Sequence, residues 1–477
     1  MTWRPWRSST TYRDRVRKLK GWPNPDLIAV ACGAALVGAA FWVGLSVEPV
    51  ADSGVYWPPL SAKPIPHFGA GTPLAIAVAV AVIGYGPVLA ARLRWRALVV
   101  VAWLAAIAWT FALALVDGWR RGIAGQLTSD NEYLSIIGRF DDIGAALRGY
   151  SDHILIDAPA NWPAHVAGHP PGAVLTFVGL DRLGLGGGAW AGVWCIVVGC
   201  SAVAAILVAV RALAGEDLAR RSAPFLVLSP AAIWIGVSAD GYFAAVAAWG
   251  IALLVLAARR ECRWPWLVAL GAGLLFGAAV YLSYGLTLIA VVAVGVLLIT
   301  RTARPLPLVL IGACVVPLAF TLAGFYWWEA YFLLAERYDQ GAGGVRSYAY
   351  WVWGNLAAAV IVIGPAVVAG LRRSAVAAPA AIRRFPMRPS AVAAPAAIRP
   401  SPKTGQDRFV LLLLAALVAI AVADLSGMSK AETERIWLPF TVWLIPAAAL
   451  LPDRRRLWLG AQALLALVVN HALLTSW

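Results

Sequence analysis

Ser129-Asp130-Asn131-Glu132-Tyr133 sets two carboxylates two residues apart beside an aromatic ring. Such a pair can grip a polyol or a metal, or one member can act as base while the other orients it. Asp-x-Glu alone is a weak pattern that also arises by chance. A second candidate is Gly168-His169-Pro170-Pro171-Gly172. The paired prolines block a helix until their end, where Pro171 can serve as its first residue. That helix, 172–184, is too short to span a bilayer and carries Asp181 and Arg182, so it is expected to lie along the interface. His169 at its head is either a simple cap or headgroup contact, or part of a site.

Other ionisable residues gather with these. Asp130, Glu132, Asp141, Asp142, Asp152 and Asp157 share one long stretch with His153, His165 and His169. Asp240 opens a later apolar run and Asp424 closes another. Glu432 and Glu434 precede a third, in a loop that also holds Lys430 and Arg435. A charge drawn to mid-bilayer costs about 2.5–3.5 kcal/mol, so convergence of so many at membrane boundaries suggests a site. The plain alternative is a solvated loop that simply carries charges.

The elements that must hold these residues are membrane spans. Of 477 residues, 61% are hydrophobic and 13% charged, against about 45–50% and about 25% in soluble domains. A soluble enzyme is excluded. The apolar runs are long enough to cross as helices, and no alternating pattern suggests a barrel. Thirteen spans are expected, at about 27–46, 72–91, 97–116, 188–210, 223–238, 241–258, 265–282, 284–300, 305–325, 350–370, 409–426, 436–451 and 457–474. The net charge of +15 belongs to topology. With the N-terminus in the cytoplasm, the basic groups Arg4–Lys20, Arg92/Arg94/Arg96, Arg259/Arg260, 372–408 and Arg454–Arg456 all fall inside, and the histidines and most acids outside. The basic excess then meets anionic membrane lipid, with no call for nucleic acid. The first span reads as a retained anchor rather than a signal peptide. Cys32, Cys195, Cys200, Cys262 and Cys314 show no metal-ligand spacing and no disulfide is expected. Many of the 24 Trp flank spans, as interfacial belts do. The ten residues SAVAAPAAIR occur at 374–383 and again at 390–399, which reads as a low-complexity linker without a fixed fold.

In order, this pattern of spans, outer loop with Asp-x-Glu, His-Pro-Pro with an amphipathic helix, and an Asp at the outer end of a later span resembles the GT-C glycosyltransferases. The likeness is to the branch of protein O-mannosyltransferases and lipid A aminoarabinose transferases. It covers roughly 97–300 plus 428–450, through Asp130 with Glu132, His169-Pro170-Pro171, Ser238-Ala239-Asp240, and the run from Lys430 through Glu434-Arg435 to Leu438-Pro439. Three features depart from it. The large loop follows the third span rather than the first, Leu282-Ser283-Tyr284-Gly285 lacks the lysine common in relatives, and no soluble domain follows the spans.

The resemblance implies an all-α polytopic membrane protein divided as follows: a basic cytoplasmic segment 1–26, three spans in 27–116, an outer loop with interfacial helices and the active site in 117–187, a transmembrane core in 188–371, a cytoplasmic linker 372–408, and C-terminal spans with a donor-phosphate loop in 409–477. It implies a multi-pass enzyme of the cell membrane that moves a sugar, with inversion, from a polyprenyl-phosphate-linked donor to a glycan, lipid or protein acceptor on the extracytoplasmic face. Independently, no glycine-rich phosphate loop is present to hold a soluble nucleotide sugar. Asp130 would be the base and Glu132 would hold the acceptor or a metal. Arg435, then Lys430, would bind the donor phosphate. His169, Asp240 and Glu434 would line the pocket with Tyr133 and His165. No cofactor is certain, though a divalent cation could bridge Asp130, Asp240 and His169. The competing class is a lipid-linked-sugar flippase or another transporter, for which paired repeats and midplane polar groups would be expected. Neither is visible in the sequence.

Overall fold

A computed structural model describes residues 24–47, 55–384, 402–452 and 455–475. The basic stretch Arg4–Lys20, the second SAVAAPAAIR copy and Arg454 therefore lie outside the described residues. The chain is almost entirely helical. Among the described residues, seven helices are long and apolar enough to cross a membrane: Pro25–Val47 (α1), Gly71–Arg92 (α2), the stretch Trp95–Asp117 beginning with α3 (Trp95–Ala114), the pair Gly188–Cys200 (α5) and Ala202–Ala214 (α6), Ala239–Arg259 (α8), Pro265–Leu282 (α9) and Thr404–Leu425 within Pro402–Leu425 (α15). Two bent pairs raise the number to nine if each is one span. Leu306–Leu322 (α11) turns 79° into Trp327–Gln340 (α12), and Tyr348–Ile363 (α13) turns 110° into Pro365–Arg384 (α14).

Thirteen crossings were expected, and the difference has a physical cause. The run 223–238 is interrupted after Glu216–Val227 (α7) by Ser229-Pro230, and only one further turn, Ala232–Ile235, forms before α8. The run 436–451 breaks at Pro439 and Pro446 into the short turns Leu438–Thr441 and Ile445–Leu450. The apolar residues of both broken segments are buried except Ile436 and Leu450, which are half-buried, as suits irregular backbone that meets little water. The run 284–300 is a 3-10 turn followed by the short helix Ile289–Thr300 (α10), and the last helix is Arg455–Ala472 (α16).

Burial separates core from periphery. Within its apolar window α8 is 72% buried inside the protein, whereas α1 and α2 are each 17% buried. α8 therefore runs through the middle, flanked by α5, α6 and α9. α9 and α11 cross closely because their contact is made of small residues. A Cβ on Gly273 would sit 2.0 Å from the Val309 carbonyl oxygen, and one on Gly312 2.2 Å from that of Leu270. Gly273 and Gly277 stand four apart on one face, the spacing that lets membrane helices approach backbone to backbone. α1 is pinned by the buried Asp26, which accepts from Arg372 (2.8 Å) and Arg373 (2.6 Å) of α14. A two-stranded ribbon joins Ala62–Lys63 to Leu474–Thr475 near the chain end.

One other sequence expectation changes. The first SAVAAPAAIR copy is not a linker: it continues α14 to Arg384, with Ala378 and Ala381 packed on Val410 of α15. Alanine is the strongest helix former, and here its small side chains meet a partner helix. The helix after the twin prolines forms at Gly172–Arg182 (α4). It buries Ala173, Val174, Phe177 and Val178 against the bundle.

The α9–α11 crossing gives a direct test. Gly273→Val should force the helices apart at a cost of about 1–3 kcal/mol or more, lowering the melting temperature of the protein in detergent. An unchanged melting temperature would show that the glycine face is not a contact.

Candidate active site

Four distant stretches meet at the end of α8 that carries Asp240. Asp240 lies in the first turn of that helix, where the partial positive charge of the helix N-terminus favours a carboxylate. After α15, Ala431 (φ 68°) and Glu432 (φ 59°) take left-handed backbone, which reverses the chain into the single turn Thr433–Ile436. That turn brings Glu432 and Arg435 into contact. The loop 117–187 supplies Glu132 and His165, stitched together by a bond from the His165 N–H to the Asn131 carbonyl (3.1 Å). The fourth stretch brings Arg346, just before α13.

Arg435 is the hub. Its Nη1 donates to Asp240 Oδ2 at 2.5 Å and its Nη2 to Glu432 Oε2 at 2.6 Å. Nη2 also lies 3.2 Å from His165 Nε2. A guanidinium only donates, so His165 Nε2 must be the accepting nitrogen and Nδ1 carries the proton. Nδ1 then donates to Glu132 Oε1 at 2.6 Å. Arg346 donates to Glu432 Oε1 (3.2 Å) and to the Lys430 carbonyl (2.7 Å). The network is sealed: Glu132 and Asp240 are each 5% exposed and Arg435 6%. Against burial, Arg435 and Arg346 together hold the Glu432 carboxyl down to about 2. Against the same burial, Asp240 and Glu432 raise Arg435 above its ordinary range. One acceptor stays open, because Glu132 Oε2 is buried and has no partner among the described residues. Ser238 Oγ, two residues before Asp240, is in the same state.

Beside the network, His169 Nδ1 donates to the His165 carbonyl (2.7 Å), with the Tyr133 hydroxyl 3.1 Å away. The Tyr133 ring stacks on Phe177 of α4 at 5.3 Å. Burial pushes His169 down to about 4, so its imidazole is neutral at physiological pH. The loop around it is tied to α12 by Arg337, which donates to the Trp162 carbonyl (2.9 Å) and to that of Ile154.

The structure thus unites Glu132, Tyr133, His165, His169, Asp240 and Arg435. It treats three others differently. Asp130 is exposed, with no hydrogen bond or ion pair among the described residues. The Glu434 side chain makes no hydrogen bond within the network among the described residues and accepts from the Ser61 N–H at 2.8 Å; its second oxygen is buried without a partner among the described residues. Lys430 spends its ammonium on the Gly343 carbonyl (2.7 Å). The set Asp130, Asp240 and His169 does not converge on one point, and among the described residues no three His, Cys, Asp or Glu side chains could hold a metal ion. Arg346 and Glu432 are the members missing from the sequence-derived site. The one signal for Arg346 was an arginine in a loop expected to be outside, against the charge bias of the other loops. Two of the other expected outer groups, His67 and Asp424, brace loops. His67 pairs with Asp117 (2.6 Å), and Asn355 donates to Asp424 (3.0 Å) and to the Ser429 carbonyl (2.8 Å).

Burial lifts the Glu434 carboxyl from 4.5 to about 7. A carboxyl bound more tightly to its proton in the folded state stabilises at low pH, and that contribution is lost as pH rises from about 4.5 through 7. Glu434→Gln should therefore raise the melting temperature above pH 7 by the equivalent of about 1–3 kcal/mol, the usual cost of a buried unsatisfied group, and leave it unchanged near pH 4. A constant difference at both pH values would show that Glu434 does not titrate in this window.

No protein-family model matches the chain, and no curated protein matches it. Among solved structures, the chain is similar to the oligosaccharyltransferase of Archaeoglobus fulgidus, crystallised in complex with zinc and sulfate. The likeness covers 78% of this chain and 53% of that one, at a TM-score of 0.44 and 14% identity, so this chain spans about half the length of that protein.

Proposed function

We propose that the protein is a membrane glycosyltransferase that moves a sugar from a polyprenyl-phosphate-linked donor to a glycan, lipid or protein acceptor on the outer face of the cell membrane. The observation that carries this reading is Glu132: a buried carboxylate, oriented by His165 beside the Arg435–Asp240 pair, with one oxygen left open. An unsatisfied buried oxygen costs about 1–3 kcal/mol in the empty protein. A sugar hydroxyl donating to it would remove that cost on binding. The ordered motifs of the sequence supply the reaction class.

The outer placement is supported by α8, which has Asp240 at one end and Arg259 and Arg260 at the other. Arg92, Arg94 and Arg96 gather at the far ends of α2 and α3 in the same way, and basic ends face the cytoplasm. Carboxylates and histidines that meet at one end of the bundle fit an enzyme better than a carrier with a midplane site.

The transfer needs few parts. The acceptor hydroxyl oxygen attacks the anomeric carbon, its proton passes to Asp130, and the carbon–oxygen bond to the phosphate breaks. Attack opposite the leaving group inverts the anomeric centre, and polyprenyl phosphate departs with the bonding electrons. Glu132 orients the acceptor. Arg435 is held by two carboxylates, so the donor phosphate reaches its fork by displacing one of them. Glu432 is the one that can yield, since its side chain is 20% exposed while that of Asp240 is 7% exposed. Lys430 would act as a second cation on leaving its bond to the Gly343 carbonyl.

Purified full-length protein, given polyprenyl-phosphate-linked pentoses and hexoses, should release free polyprenyl phosphate. Asp130→Asn should lower the rate by about 10²–10⁴-fold with membrane insertion unchanged, whereas Glu132→Gln should mainly raise the acceptor KM. No release from any such donor would remove the proposal, and full activity of Asp130→Asn would remove Asp130 from it. Arg435→Ala would strand buried carboxylates at a cost of about 3–5 kcal/mol, so Arg435→Lys is the cleaner variant. It keeps the charge, loses the fork and should raise the donor KM about tenfold, a loss of about 1.4 kcal/mol, leaving that of the acceptor alone. Equal rises in both would assign Arg435 a structural role only.

A further inference from the structure

The opposite end of the bundle holds a second polar feature, unconnected with sugar transfer. Between the last turn of α2, the first turns of α7 and the start of α16 lies a cavity of about 180 Å³. A single water needs about 10–15 Å³ of such space, so the cavity admits a small molecular group. Arg220, Arg221, Arg455 and Asp217 form its polar side, and Pro87 and Phe225 belong to its apolar side.

The three guanidiniums are not equivalent. Arg220 is fully engaged, donating to the carbonyls of Ala90 (2.7 Å) and Leu93 (2.9 Å) and to Glu216 (2.6 Å), and so rivets α7 to the end of α2. Arg221 donates to the Leu451 carbonyl (2.9 Å), and its nearest carboxylate, Asp217, stands 3.7 Å away and is 84% exposed. Its Nε is buried with no partner among the described residues. Arg455 has no hydrogen bond or ion pair among the described residues. Burial and then the charge of Arg455 hold the Arg221 guanidinium below its ordinary range. Two like charges thus face one cavity, and among the described residues that line it the one carboxylate, Asp217, is solvent-exposed.

We propose that this cavity binds a phosphate ester, with the phosphate oxygens between Arg221 and Arg455. Guanidiniums match phosphate geometry through paired donors, and an anion placed there turns the repulsion of the two arginines into attraction to a shared partner. The apolar side and the neighbouring membrane-length helix α2 favour the headgroup of an anionic lipid over a free phosphate. Basic pockets between membrane helices take such headgroups.

The test uses full-length protein in neutral detergent, with phosphatidylglycerol, phosphatidylcholine and inorganic phosphate as probes, read by native mass spectrometry and by melting temperature. Phosphatidylglycerol should be retained and protective, phosphatidylcholine not. Arg455→Gln, which breaks no bond among the described residues, should weaken phosphatidylglycerol binding about fivefold or more, consistent with one cation near an anionic headgroup. Arg96→Gln, an exposed cation at the same end of the bundle, should leave it unchanged. Protection by inorganic phosphate that Arg455→Gln removes, without a preference for phosphatidylglycerol, would support the phosphate site with a soluble ester as its occupant. Equal phosphatidylglycerol binding in wild type and Arg455→Gln, or equal losses in Arg455→Gln and Arg96→Gln, would overturn the proposal.

Discussion

Arg435 binds Asp240 and Glu432 in a space from which water is almost excluded, and the upper part of the molecule is arranged around that contact. Through Asp240 it reaches the central helix α8, through Glu432 and Arg346 the stretch before α13, and through His165 and Glu132 the long loop 117–187. A buried ion pair of this kind contributes little net stability, because desolvating the charges offsets most of their attraction. Its effect is positional. Loss of any member leaves another charge stranded, so only one arrangement of the four stretches is comfortable. The same restriction that orders the loop also fixes the open oxygen of Glu132 and the tautomer of His165.

The two ends of the bundle are chemically opposite. One gathers carboxylates and histidines around a clamped guanidinium. The other is ringed by arginines, two of which share a cavity with little to neutralise them. α8 joins the ends within a single helix of 21 residues. The proposed orientation, with the basic end in the cytoplasm, would account for this polarity. Chemistry on acceptors outside and lipid contact inside would then use what topology already separates.

Much of this was legible in the sequence. Asp240 and Arg435 stood out because ionisable groups at span ends are expensive, and they pair directly. Glu132 and His165 were visible as members of a dense polar loop. Their ranking was not. Asp130 and Glu132 differ by two positions, and a tight turn, with the Glu132 N–H bonded to the Ser129 carbonyl (2.9 Å), decides which one is buried. Neither helical nor strand periodicity governs such a turn. Glu432 and Arg346 were hidden for a related reason, since left-handed backbone at Ala431 and Glu432 creates their contact. Hydropathy counted apolar runs but could not distinguish a lipid-facing helix from a buried, broken segment. Pro230, Pro439 and Pro446 mark two of the runs that break. The Ala-rich repeat looked like low complexity because its composition is simple, yet small residues are what let α14 lie against α15.

Photolabelling is the most direct probe of the central claim that the Arg435 network forms the floor of a lipid-linked sugar site. The full-length protein would be irradiated with a photoreactive polyprenyl phosphate analogue and its peptides mapped. Labels should fall within residues 126–172 and 429–437 and disappear under excess polyprenyl phosphate. Labelling confined to the arginine cavity at the other end, or labelling around Arg435 that excess polyprenyl phosphate does not reduce, would contradict the account.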